Sequence, residues 1–196
     1  MADANTEQDA ALVDRVRSGE PAALDELLGR ALGIARRYSA AVCGQAPDRE
    51  DAVQEALLQT FRHARGIREP RAFRSWLYRA VKNACLIGRR RTGVARATSS
   101  LDEHNGVEAV DPSLLADDRL LAAEDRDRVR LALAALPPPY REAVFLRDFE
   151  GLSTREVAGV LGITEANVKV RLHRAHAQLR RRLDPPRDRR RPSKPA

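Results

Sequence analysis

Residues 152–183 read LSTREVAGVLGITEANVKVRLHRAHAQLRRRL, and this stretch decides the fold of at least half the chain. Ser153 is placed to cap a helix, with Glu156 three residues later at capping-box spacing. Val157, Val160 and Leu161 then share one helical face. Gly162 is suited to the left-handed conformation that stops a helix, and Ile163 plugs the turn. Thr164 caps a second helix whose apolar residues, Val168, Leu172, Ala175 and Leu179, form a single stripe. The small Ala158 lets the two helices cross closely. The pattern is that of a helix-turn-helix.

The face opposite the stripe carries Asn167, Lys169, Val170, Arg171, His173 and Arg174. Arg and Lys bond guanine edges, Asn reads adenine, and Val meets a thymine methyl. An exposed helix with these types near its start suits the major groove of DNA. A solvated basic helix in an ordinary bundle would share that face but not the agreement of cap, turn, stripe and polar residues.

The rest of the chain is organised to match. Of 196 residues, 43% are hydrophobic and only 4% aromatic, so the core is built mainly from Leu, Val and Ala. No run of alternating β-branched residues marks a strand, and the expected class is all-α. The net charge is +7, and residues 180–196 supply +6 of it from eight cations and two Asp. Basic charge concentrated there favours a polyanionic partner. No segment has the apolar length of a membrane span, and the polar N-terminus MADANTEQDA is not a signal peptide. Cys43 and Cys85 lack metal-ligand spacing and are expected as separate core thiols in a reducing cytoplasm.

Two small helical domains joined by a flexible linker are expected. Residues 1–9 read as a frayed, disordered terminus and 10–90 as the first domain. Leu12, Val13 and Val16 stripe its first helix; Gly19-Glu20-Pro21 breaks it, and Pro21 suits the first turn of the next. Gly29 and Gly33 mark either a close helix crossing or tolerated glycines. Gln45–Asp48 reads as a turn with Asp48 as cap. In DREDAVQEALLQTFRHA, Val53, Ala56, Leu57, Thr60, Phe61 and Ala64 line an inner face, while Asp51, Gln54, Glu55 and Leu58 lie outside it. An acidic face repels phosphate, so it is either solvated or meets a protein. In RAFRSWLYRAVKNACLIGRRR, Phe73, Trp76, Leu77, Ala80, Val81 and Ala84 form the buried stripe, and Arg71, Arg74, Arg79, Lys82 and Asn83 lie on or near another face. Basic residues beside aromatics suit single-stranded nucleic acid, although Trp76 itself reads as core. Residues 91–113, rich in Gly, Ser, Thr, Asn and Asp, form the linker. Residues 114–183 form the second domain, in which Leu131, Leu133 and Leu136 precede a triple proline whose Pro139 can start a helix filled by Tyr140 to Phe149. Residues 184–196 form a basic disordered tail.

In DREDAVQEALLQTFRHA, FRSWLYRAVKNA and the long segment from Ala135 to Leu183, the chain resembles extracytoplasmic-function (ECF) sigma factors of the bacterial sigma-70 family. The resemblance covers roughly residues 10–90 and 115–183. It implies that Asp51, Gln54, Glu55 and Leu58 dock on the clamp helices of the polymerase β′ subunit. It implies that Arg71, Arg74, Arg79, Lys82 and Asn83 open and read the −10 promoter element beside a base-capturing GIREPRAF loop. It further implies that Thr154, Arg155, Glu165, Asn167, Lys169, Val170, Arg171, His173 and Arg174 read the −35 element. The partners implied are core RNA polymerase, through β and β′, promoter DNA and an anti-sigma factor; no cofactor is implied. Val170 replaces a small polar residue frequent in the family, Ile87 stands near a common acidic position, and Leu24 replaces a frequent aromatic.

No catalytic constellation accompanies these motifs. His63, His104, His173 and His176 do not group with Cys or acids, and no Gly-rich phosphate loop is present. The expectation is therefore a non-enzymatic, cytoplasmic sigma subunit. Its rival is a stand-alone helix-turn-helix regulator, which would bind a palindromic operator without polymerase. An enzyme with an accessory DNA-binding tail is a remote third.

Overall fold

The computed structural model describes residues 2–43, 46–91 and 123–183, and every regular element among them is helical. The linker beyond Arg91, the leucines at 114–121 and the tail from residue 184 lie outside the described residues. The first domain holds α1 (Ala2–Arg17), α2 (Pro21–Val42), α3 (Ala46–His63) and α4 (Phe73–Arg91). The second holds α5 (Ala123–Ala134), α6 (Pro138–Val144), a π-helical turn over Phe145–Phe149, α7 (Thr154–Leu161) and α8 (Glu165–Leu183).

Several boundaries differ from the sequence expectation, each for a local reason. Helix α1 begins at Ala2, where a frayed terminus was expected over 1–9. Its Asp9 is buried and paired with Arg30 of α2, which anchors that turn. Helix α3 begins at Ala46 rather than at Asp48, because Pro47 suits a first helical turn. The helix expected to start at Pro139 and run to Phe149 starts one residue earlier, at Pro138, and widens into the π turn after Val144. Gly29 and Gly33 mark no close crossing: no neighbouring backbone lies within 4 Å of a Cβ built at either.

The core of the first domain is a layer of interlocking stripes. Leu12, Val13 and Val16 of α1 meet Leu27, Ala31 and Tyr38 of α2, with Ala52 and Ala56 of α3 and Phe73, Leu77 and Val81 of α4. The second domain gathers Leu133, Leu136, Val144, Leu146, Leu152, Val157, Val168 and Ala175. Leu131 departs from expectation and stands 61% exposed. Arg141 is fully buried instead: its guanidinium donates to the carbonyls of Leu133, Ala134 and Leu136 at 2.8–3.2 Å. The Leu133 carbonyl also accepts from the Leu136 N–H at 3.0 Å, and Arg141 adds donors to it and to the Ala134 and Leu136 carbonyls, capping the end of α5 from inside the core.

Cys43 and Cys85 are buried, as expected, but they are not separate thiols. They form a disulfide with Cα atoms 5.2 Å apart, joining the end of α2 to α4 across a sequence separation of 42. Sequence spacing could not reveal this, because the packing of α2 against α4 alone brings the two together. Helix α3 lies inside the closed loop. In the chain-entropy account a loop of this length restricts the unfolded state by about 4 kcal/mol.

Two stability measurements follow. Reducing the disulfide should lower the melting temperature by about 10 °C, and a Cys43→Ser/Cys85→Ser variant should be indifferent to reductant. Arg141→Met should cost about 3 kcal/mol in denaturant unfolding, because it leaves buried carbonyls unpaired.

Candidate nucleic-acid interface

The helix-turn-helix is built from the local signals named above. Ser153 accepts from the Glu156 N–H at 3.2 Å, and the Glu156 carboxylate accepts from the Ser153 N–H at 2.8 Å. Gly162 takes φ +70°, and its N–H reaches the Ala158 carbonyl at 2.9 Å. Thr164 Oγ1 accepts from the Asn167 N–H at 3.2 Å. Val168 and Ala175 are fully buried, and Leu172 and Leu179 pack at the edge of the core. This fixes the rotation of α8. Arg155, Glu165, Lys169, Val170, His173 and Arg174 are left exposed, and Thr154, Asn167 and Arg171 are half-buried. Arg171 donates to Asn167 Oδ1 at 3.3 Å, a contact that aligns both side chains along the helix.

On α4 the expected −10 residues fall on two faces. Arg79 and Asn83 are four residues apart and exposed, and Trp76 lies on the same side. Trp76 is half-buried, stacked on Phe73 with ring centroids 6.4 Å apart. It lines a groove of about 370 Å³ with Gly66, Ile67, Arg68, Glu69 and Arg79. Trp76 thus serves core and groove at once, which the apolar stripe alone did not reveal. Arg71 is exposed and pairs with Glu7 at 2.7 Å. Arg74 and Lys82 belong to another face. With Tyr78 they follow the i, i+4, i+8 row, and that row points at the second domain.

Arg74 is 6% exposed, against the expectation of a DNA-facing side chain. Its Nη2 meets Glu150 Oε2 at 2.5 Å, and its Nε lies 3.7 Å from Asp9. The Tyr78 hydroxyl shares the same Glu150 oxygen at 2.5 Å. Lys82 Nζ lies 3.2 Å from Glu142 Oε1, which also accepts from the Tyr38 hydroxyl at 2.7 Å. Burial pushes the Tyr38 phenol well above its usual range, and Glu142 adds to this. Burial does the same to Tyr78, with Glu150 adding and Arg74 opposing. Burial alone would lower the Arg74 pKa, but Tyr78, Glu150 and Asp9 outweigh it and raise it.

On α3, Asp51, Gln54, Glu55 and Leu58 are all exposed on one stripe. Phe61 was expected inside and is 58% exposed, because it lies three residues beyond Leu58 and extends that stripe. The acidic face is therefore also apolar, with Leu58 40% exposed beside Phe61. The stripe thus joins two exposed apolar side chains to a row of acids.

A helix-turn-helix with a basic outward face, next to a helical domain with one basic and one acidic-apolar face, defines a DNA-binding transcription protein. The description "Sigma-70 region 2" matches residues 24–94 and "Sigma-70, region 4" matches residues 126–179. The ECF RNA polymerase sigma factor SigM of Mycobacterium tuberculosis is 35% identical over 175 residues, 89% of this chain and 84% of that protein. The ECF sigma factor SigE of Mycolicibacterium smegmatis is 34% identical over 168 residues, 83% of this chain, and the match spans 63% of its length. The sigma factor RpoE of Bartonella quintana, solved in complex with the anti-sigma factor NepR, shares the fold. Its TM-score is 0.61 at 22% identity, covering 83% of this chain and 98% of that one. The chain belongs to the ECF sigma factors of the sigma-70 family.

The two raised phenols set an alkaline limit. Their folded pKa values exceed the unfolded value of about 10, so their contribution to stability is complete below that pH. It falls as pH rises further, because only the unfolded chain then ionises. Tyr38→Phe and Tyr78→Phe should each flatten the loss of melting temperature above about pH 10 in a thermal scan.

Proposed function

We propose that this chain binds core RNA polymerase and directs it to promoters, with α8 reading the −35 element in the major groove. The observation that carries this is the exposed row Lys169, Val170, His173 and Arg174 on a helix whose rotation is locked by Val168 and Ala175. Arg79 and Asn83 are the −10 contacts offered directly to DNA, beside the groove of Trp76, where an unstacked base could lie against the ring. The α3 stripe of Asp51, Gln54, Glu55 and Leu58, extended by Phe61, is the polymerase docking surface. RNA synthesis itself is left to the polymerase, and the protein acts in the cytoplasm, where polymerase and promoter meet. No helix among the described residues is long and apolar enough to cross a membrane. An anti-sigma factor that withholds the free subunit from polymerase completes the proposal, on the strength of the family resemblance. Neither domain needs high DNA affinity alone, because tethering on polymerase raises the effective concentration of each.

The deciding experiment is run-off transcription with purified bacterial core polymerase on promoters of the source genome. Defined start sites that appear only on addition of the protein support the proposal. Tight operator binding without any polymerase response would favour the stand-alone regulator instead. Lys169→Ala should lower −35-dependent transcription about tenfold, as loss of one base contact would. Leu58→Ala/Phe61→Ala should weaken polymerase binding in a pull-down yet leave DNA binding by the free protein unchanged.

A further inference from the structure

Helix α3 buries less apolar side chain than its neighbours. Helices α2 and α4 sink Leu27, Tyr38, Phe73, Leu77 and Tyr78 fully into the core. Helix α3 buries Ala52, Val53, Ala56 and Thr60, all small, and leaves its larger Leu58 and Phe61 exposed. Leu57 packs only at the edge of the core, and the Thr60 hydroxyl is spent on the Ala56 carbonyl of its own helix, 2.8 Å away. Burial stabilises in proportion to apolar area, so α3 gains least from it. An element with few buried apolar groups opens at lower cost than the rest of its domain. A covalent closure offsets this. The Cys43–Cys85 bond joins the residue that ends α2 to α4, and the loop it closes holds all of α3 together with Trp76, Arg79 and Asn83. Its two cysteines are 2% and 1% exposed.

We propose that the Cys43–Cys85 pair is a redox switch on α3, and through α3 on polymerase docking: the disulfide holds α3 in place, and the dithiol lets it loosen. The inference rests on the reading of α3 as the docking surface. Disulfides in a reducing cytoplasm exchange with its thiol pool, and those found there are mostly transient or redox-sensing. That compartment is where the proposed partner, polymerase, works. The packing of α2 on α4 sets the two Cα atoms 5.2 Å apart, within the range a disulfide needs, so the sulfurs stay placed to rejoin after reduction. As thiols they remain small apolar groups in the core, and the domain keeps its fold. The exchange balances with a dithiol reductant. Its thiolate attacks one protein sulfur and forms a mixed disulfide, which its second thiol then resolves. Two electrons and two protons pass to Cys43 and Cys85, and the reductant leaves as a disulfide. Glutathione disulfide drives the reverse. Because both sulfurs are buried, exchange waits for α2 and α4 to part, so the switch answers to sustained shifts of the thiol pool.

The test uses the full chain, oxidised with glutathione disulfide or reduced with dithiothreitol. Maleimide trapping reads the thiol state across a series of glutathione mixtures. Hydrogen exchange reads α3, and a binding titration reads affinity for purified core polymerase. The pair should pass from disulfide to dithiol within the series. Once it is reduced, the α3 amides should exchange faster while those of α2 and α4 hold. Polymerase affinity should fall about tenfold, as it does when the docking form is about a tenth populated. The Cys43→Ser/Cys85→Ser chain should match the reduced wild type in either buffer, which separates the switch from any action of the reductant on polymerase. Should that variant not fold, wild type decides alone: reoxidation of the reduced sample must restore the affinity. A bond that survives the most reducing mixture overturns the switch, as does equal α3 exchange or equally tight polymerase binding in the two states. Equally tight binding leaves the sigma assignment standing and removes only the switch. No binding in either state sinks the docking reading instead, and the exchange of α3 then decides for or against the switch by itself.

Discussion

The contact on which the two-domain arrangement depends is the Glu150 carboxylate set between Arg74, Tyr78 and Arg37. A charge taken out of water is tolerated only when its lone pairs are met, and here every group around the carboxylate is a donor. The chain of alternating charge continues through Arg74 to Asp9 and on to Arg30, so a single network links α1, α2, α4 and the second domain. The apolar contacts beside it, Tyr38 with Tyr78 and with Phe145, exclude water from the hydroxyls and strengthen the same bonds. Domain position is thus set by this polar network together with the apolar cluster that runs across the junction through Tyr38, Tyr78 and Phe145.

Helix α4 shows how one short element carries three tasks. One face buries Phe73, Leu77, Val81 and Cys85; a second offers Arg79 and Asn83 to solvent; a third presents Arg74, Tyr78 and Lys82 to the other domain. At 3.6 residues per turn, neighbouring cations in sequence point to different surroundings. The disulfide ties the far part of α4 to α2, and the burial of Phe73 in the core seats its first turn.

Much of this was legible in the residues. The helix-turn-helix was readable almost atom by atom, because capping box, left-handed glycine and apolar stripe are local signals that act within a few residues. The outward face of α8 followed from the stripe. The acidic stripe of α3 was also visible, but Phe61 was assigned inward: it flanks the buried row, and only the placement of α2 and α4 decided which flank was covered. Arg74 and Lys82 were grouped with Arg79 and Asn83 by helical face and by the resemblance, and nothing local sets Arg141 apart from the other arginines.

The sequence by itself determined the class of fold, the family and the helix-turn-helix, because periodicity, caps and turns are properties of neighbours along the chain. Tertiary structure alone decided which cations of α4 face solvent and which pair with Glu142 and Glu150. It also decided that Cys43 meets Cys85 and that Arg141 turns inward to cap α5. Each of those outcomes joins residues brought together by packing, and the energy of a buried charge or thiol depends on the partner it finds there rather than on its sequence neighbours.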